Sequence, residues 1–209
     1  MNIVEPSIDE YLNKTLPVGD ALLREMQRYG ESCEFPMVGP QVGRLLYVLA
    51  RSIGATRVLE LGSGFGYSAM WFARALGANG RIVLTERSKE NAKQARGYFQ
   101  RARLLDHVQI EVGNALDIIG QLPGLFDVIF NDVDKPQYPC ILDLARPKLR
   151  LGGLFISDNM LWHGTVLDKS RKADVRGVKE LTRALLAAPD FVTTILPVRD
   201  GVAVALKIA

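Results

Sequence analysis

The sequence predicts an α/β fold: a seven-stranded, mostly parallel sheet with an antiparallel strand near one edge, helices on both faces and a helical N-terminal extension. Three observations carry this expectation. From residue 56 onward, short apolar runs alternate with helical periodicities, the pattern of β-α-β units. Two of the runs, "DVIF" and "GLFIS", are almost continuously apolar, as strands covered on both faces are. The last two runs are joined only by "PVRDG", too short for a crossover, so that pair runs antiparallel. The 209 residues suit one domain with a substantial core, divided into N-terminal helices (1–54) and an α/β core (55–209).

The elements follow in order. "SIDEYLNKTL" (7–16) predicts a helix opened by Ser7, with Glu10 three residues on completing a capping box. A second helix is expected over roughly 18–33. In "PQVGRLLYVLARSI" (40–53), Val42, Leu45, Leu46 and Leu49 fall on one helical stripe that faces a core. Strands are expected at 57–61, 81–85, 108–112, 126–131 and 154–157, then 191–196 and 202–207. Helices fill the intervals at about 66–77, 88–103, 114–121, 138–149 and 171–188. "VQIEV" (108–112) alternates apolar and polar residues, as a half-exposed edge strand does.

Composition excludes several classes. The net charge of +3 comes from Lys and Arg spread along the chain, with no basic tract. The two cysteines, Cys33 and Cys140, form no CxxC and are expected as free thiols in a reducing compartment. The N-terminus has neither a basic nor an apolar leader segment, and no apolar run approaches the length of a membrane span. The expectation is a cytoplasmic protein without a membrane partner.

Two segments point to a nucleoside-bearing cofactor. In "VLELGSGFGYSA" (58–69) a strand ends at Glu60–Leu61, Gly62, Gly64 and Gly66 follow, and a helix opens near Tyr67 and Ser68. Such a loop lets backbone approach a ligand closely, and the helix start offers unpaired N–H groups. The spacing is GxGxG and not the GxGxxG of a dinucleotide loop, which argues against a nicotinamide oxidoreductase. A carboxylate at Glu60 suits an ammonium better than a phosphate. Glu86 ends the second strand, 22 residues beyond Gly64, where an acid can accept from both ribose hydroxyls. An adenosyl group with a free amino-acid end is S-adenosylmethionine (SAM). "GNAL" (113–116) then places Asn114 and Ala115 near the adenine.

A third constellation lies at two further strand ends. Asp132 ends the fourth strand; Asp158 and Asn159 end the fifth. In a parallel sheet these ends share one rim, and neighbouring strands lie about 5 Å apart. Carboxylates that close repel unless a cation lies between them. Asp132, Asp158 and Asn159 offer hard oxygen ligands suited to Mg²⁺, or to Mn²⁺ or Ca²⁺. The competing reading makes each Asp a helix N-cap. Lys135 is either a proton acceptor beside this site or a solvated loop lysine. Trp162 either walls a flat substrate or packs on the core, His163 reads as a rim residue, and Asp134 either caps the next helix or holds Lys135.

Together these residues resemble the cation-dependent class I O-methyltransferases, which include the catechol and caffeoyl-CoA enzymes. The resemblance runs from about Met37 to the C-terminus, through "LELGSGFGYSA", "FNDVDKPQY", "GGLFISDNMLWHG" and "LPVRDGVAVALK". It implies a Rossmann-like methyltransferase fold, usually dimeric. It implies that Asp132, Asp158 and Asn159 bind a divalent metal, with Asp132 also at the cofactor, and that Lys135 deprotonates the acceptor hydroxyl. Glu60, Gly62, Tyr67 and Ser68 would surround the methionine end of SAM and Glu86 would meet the ribose; Gly64, Asn114 and Ala115 are expected at the cofactor as well. The implied acceptor is a small catechol-like or phenylpropanoid-like hydroxyl compound. Departures from the family pattern fall at "VGR" (42–44), Asn131, Val133 and Leu181–Thr182. One alternative within the fold is methylation of a 5-hydroxyuridine in tRNA, with Lys93, Arg96, Arg101 and Arg103 as phosphate contacts; another is a non-catalytic SAM-binding module.

Overall fold

Seven strands form one sheet in the order β3-β2-β1-β4-β5-β7-β6. The structure is a computed structural model and describes residues 3–17 and 19–209. The strands are β1 (Arg57–Leu61), β2 (Arg81–Glu86), β3 (Val108–Val112), β4 (Phe126–Asn131), β5 (Leu149–Ser157), β6 (Phe191–Leu196) and β7 (Val202–Lys207). The helices are α1 (Pro6–Thr15), α2 (Ala21–Ser32), α3 (Gly39–Ser52), α4 (Tyr67–Ala75), α5 (Lys89–Arg101), α6 (Ala115–Ile119), α7 (Tyr138–Ala145) and α8 (Ala173–Ala187). β1 to β5 pair in parallel, and β7 lies antiparallel between β5 and β6. The expected topology is therefore observed, with "VQIEV" at the outer edge.

Strand periodicity sorts side chains into two cores. Val58, Leu84, Val128, Phe130 and Ile156 face a layer that includes α3 and α4. Leu59, Leu61, Ile129 and Phe155 face a second layer that includes α7 and α8. Register then creates the site. Thr85, Leu61, Asn131 and Ser157 lie abreast across β2, β1, β4 and β5. The next residue along each strand is Glu86, Gly62, Asp132 or Asp158, so all four step onto the same rim.

Three expectations are corrected. α1 opens at Pro6 with Glu5 at its N-cap and no side-chain capping bond, so the Ser7–Glu10 box does not form. Proline at the first helical position needs no partner for an N–H and is already set to a helical φ; Glu10 pairs instead with Lys14. The helix expected over 138–149 stops at Ala145, because Pro147 turns Arg146–Lys148 into a 3₁₀ turn. β5 consequently begins at Leu149, not at 154. Leu149 pairs with Phe126 and Leu154 with Val128, so β5 carries extra residues in a bulge at the Gly152–Gly153 pair. Position 18, part of the expected second helix, lies outside the described residues.

At the opposite end of the sheet, Asp127 closes the strands together. Its carboxylate accepts from Thr56 N at 2.8 Å and Arg57 N at 2.7 Å and pairs with Arg150. Both cysteines are free and exposed. No helix among the described residues is long and apolar enough to cross a membrane.

Candidate active site

The strand ends open into a cleft of about 1190 Å³ lined by Gly62, Gly64, Glu86, Asn114, Ala115, Asp132, Lys135, Asp158 and Asn159, among others. The glycine loop forms its floor. Gly62 adopts φ +83°, and a Cβ there would lie 2.6 Å from the Asp132 carbonyl, so only glycine lets the loop cross β4 this closely. Glu86 holds the loop from the other side, accepting from Gly64 N at 2.8 Å and Ser88 N at 2.7 Å. Asn114 caps α6 through Leu116 N at 3.1 Å, with Ala115 buried beside it.

Glu60 is fully buried beneath this loop. Ser68 Oγ donates to its Oε1, while Oε2 and the nearby Ser63 hydroxyl, which still acts to lower the carboxyl's pKa, lack a well-formed hydrogen bond. Burial pushes the carboxyl up to about 8, and the charges of Asp132 and Glu86 push the same way. A recess of about 30 Å³ is lined by Gly62, Tyr67, Asp132 and Ser68, the partner of Glu60. Tyr67 sits at the start of α4, its hydroxyl 3.3 Å from Gln27 Oε1 of α2.

The second half of the cleft is built on β4 and β5. Asp158 is buried at 6% exposure, and its carboxyl is raised to about 7 by burial first and then by the Asp132 charge. Asp132 is likewise raised by burial and opposed by Lys135. Lys135 Nζ donates to Asp132 Oδ1 at 3.1 Å and to Val133 O at 3.3 Å. It lies 5.3 Å from the ring centroids of both Tyr138 and Trp162. Three donors minus these two leave one N–H, and the lysine side chain is only 11% exposed. Neither Asp132 nor Asp158 caps a helix through its side chain. Asp134 does not hold Lys135; it pairs with Arg87 at the cleft mouth. Among the described residues no three His, Cys, Asp or Glu side chains cluster as a metal site, so a cation set here depends on Asn159 as its third donor.

The sequence that builds this cleft has counterparts among known proteins: the model of the O-methyltransferase family matches residues 19–208. The chain belongs to the O-methyltransferase family. It is 36% identical to a catechol O-methyltransferase of Niastella koreensis, over 98% of this chain and 98% of that one. It is 34% identical to caffeoyl-CoA O-methyltransferase 1 of Eucalyptus globulus, over 80% of this chain and 73% of that one. A Streptomyces achromogenes O-methyltransferase involved in tomaymycin synthesis, solved with SAM, superposes with a TM-score of 0.89 at 32% identity, covering 97% and 96% of the two chains. The Rossmann-like methyltransferase fold is thus shared.

The structure of this O-methyltransferase also places residues that the sequence did not single out. Gln41, at the start of α3, donates to Asp9 at 2.8 Å and Asn13 at 3.0 Å, and so ties α3 to α1, whose Asp9 and Asn13 line the cleft. Gly177 of α8 lies against the Lys135 turn; a Cβ there would be 2.0 Å from the Lys135 carbonyl. Arg199 and Asp200, in the turn before β7, line the cleft as well. The departures from the family pattern fall mostly in packing positions. Val42 and Gly43 are buried in α3, Leu181 is core, and buried Asn131 donates to Ser157 Oγ at 2.9 Å. Of the four basic residues considered for tRNA phosphates, Arg101 is held in a bidentate pair with Glu25 at 2.6 Å on both arms.

Proposed function

We propose that this O-methyltransferase transfers the methyl group of SAM to a hydroxyl of a small catechol-like or phenylpropanoid-like acceptor held by a divalent cation. The observation that carries the proposal is the pair Asp132 and Asp158. They end adjacent strands, burial raises the proton affinity of both, the Asp132 charge raises that of Asp158 further, and Lys135 is the cation that pairs with Asp132. A divalent ion relieves this repulsion, and with the amide of Asn159 the donors are all hard oxygens, which suits Mg²⁺ or Mn²⁺. The cofactor fits on separate grounds. The orphaned Oε2 of Glu60 is a buried acceptor that the ammonium of SAM would meet, and Glu86, which holds the glycine loop at the end of β2, is the acid that would accept from the ribose hydroxyls.

The bound cation would supply positive charge that favours the ionised acceptor oxygen. The protein's own residues do the rest. Glu60 at the methionine end and Glu86 at the ribose fix the cofactor on either side of its sulfonium, so that its methyl carbon faces the acceptor half of the cleft. Trp162, beside Lys135, walls the flat ring. Lys135, entering the step as the neutral amine, takes the proton of the hydroxyl on its Nζ lone pair as the oxygen forms its bond to the methyl carbon and the carbon–sulfur bond breaks, leaving S-adenosylhomocysteine. Holding both partners in line can supply several kcal/mol of the rate enhancement, up to about 7–11 kcal/mol at best alignment. The test is methyl acceptance by catechol, dihydroxycinnamate and its CoA thioester, with Mg²⁺ and with EDTA. Asp158→Ala should abolish turnover while the protein stays folded and SAM-competent. Full activity in excess EDTA would sink the cation role.

A further inference from the structure

Asn159 is the donor of the set whose orientation chemistry leaves open. A carboxylate presents oxygen either way round, but an amide presents oxygen or NH₂, and only the oxygen binds a cation. We infer that Asp200, in the turn before β7, is the positioning residue that keeps the Asn159 oxygen facing the cation. The inference rests on the cation reading above.

Asp200 Oδ2 lies 3.3 Å from Asn159 Nδ2. An ionised carboxylate only accepts, so the amide atom facing it must be the amino group. Oδ1 is then the atom left for the cleft, which Asn159 and Asp200 both line. The contact is built rather than incidental. Asp200 Oδ1 accepts from His163 N, its backbone carbonyl accepts from Leu161 N at 2.9 Å, and Gly201 O accepts from Met160 N at 2.9 Å. The turn therefore grips residues 159–163 at four points. That segment needs holding, because Asn159, Trp162 and His163 sit at φ 56°, 42° and 54°, a region that strains residues with a Cβ. The Asp200 side chain is 13% exposed, so solvent competes little for it. Groups of this kind, behind the ligands, typically set metal affinity within a factor of about 10–100.

Manganese binding, followed by electron paramagnetic resonance on the whole enzyme, tests the inference, with SAM affinity and melting temperature measured alongside. In Asp200→Asn the oxygen still serves His163 N, and the new amino group faces Asn159. The Asn159 amide must turn over and offer NH₂ to the cation. Mn²⁺ binding should weaken about 10–100-fold, with SAM affinity and melting temperature close to wild type. A second variant, N159D/D200N, separates orientation from mere anchoring. Its aspartate at 159 needs no sorting and accepts from the new amide, so Mn²⁺ affinity should return to within a few-fold of wild type. Wild-type Mn²⁺ affinity in D200N, or a double variant no tighter than D200N, overturns the positioning role. The cation reading itself fails earlier and separately: wild type would then bind no Mn²⁺, or Asp158→Ala would bind it unchanged, and this inference would fall with it.

Discussion

Glu60→Gln should make the protein more stable and at the same time nearly unable to bind SAM. The folded protein holds the Glu60 carboxyl at about 8, against an ordinary 4.5. A folded value above the unfolded one means that the stability from this group is complete below about pH 4.5. It is lost as pH rises towards about 8. At pH 7.5 the unfolded chain is ionised here and the folded chain must take up a proton, at a cost of about 4 kcal/mol for a group this fully buried. Glutamine removes that cost. It retains an oxygen for Ser68 but places an amino group where Oε2 has no partner, which costs about 1–3 kcal/mol. The net gain is about 1–3 kcal/mol, or roughly 2–12 °C in melting temperature for a chain of this size. The gain should vanish near pH 5, where the wild-type cost falls to under about 1 kcal/mol. Without the carboxylate the SAM ammonium enters an uncompensated buried position, so its affinity should fall by about 10²–10³-fold. Scanning calorimetry from pH 5 to 8 and isothermal titration with SAM read both effects. A stability difference that does not grow with pH, or SAM binding unchanged in the variant, would refute the reasoning.

Three further outcomes are expected. Lys135→Met should lower kcat by about 10²–10⁴-fold while SAM affinity stays within a few-fold, as stopped-assay kinetics and titration will show; a lysine serving only as counter-charge to Asp132 would leave kcat largely intact. Divalent-ion binding should weaken as pH falls below about 7, because Asp158 must lose its proton first and burial, then Asp132, holds that proton on; a flat profile from pH 5.5 to 8 in Mn²⁺ titrations contradicts this. Gly177→Ala should cost about 1–3 kcal/mol of stability, because its Cβ would meet the Lys135 backbone at 2.0 Å. It should also lower kcat more than SAM affinity, and the reverse pattern would disconnect α8 from Lys135.

Most of the candidate site's rim was legible because a parallel sheet converts chain position into spatial position. Once β1, β2, β4 and β5 are recognised as neighbours, the residue after each strand must lie on one edge, and Gly62, Glu86, Asp132 and Asp158 do. No contact needs to be guessed, only the strand limits and their common direction. Where limits depend on an irregular backbone, the reading fails: Gly152–Gly153 looks like a turn before a strand, but is a bulge within one. Asp200 was hidden for a different reason. "PVRDG" announces a hairpin, but the hairpin alone does not say which of its strands meets β5. Because β7 is the inserted strand, Ala203 pairs with Ser157 and the turn lies over the Asp158–Asn159 end of β5. Had β6 been the inner neighbour, packed antiparallel to β5, the turn would have fallen at the opposite end of the sheet, and Asn159 would have had no carboxylate behind it. The one antiparallel strand thus does more than close the edge: its direction brings a polar turn to the rim where the parallel strands end.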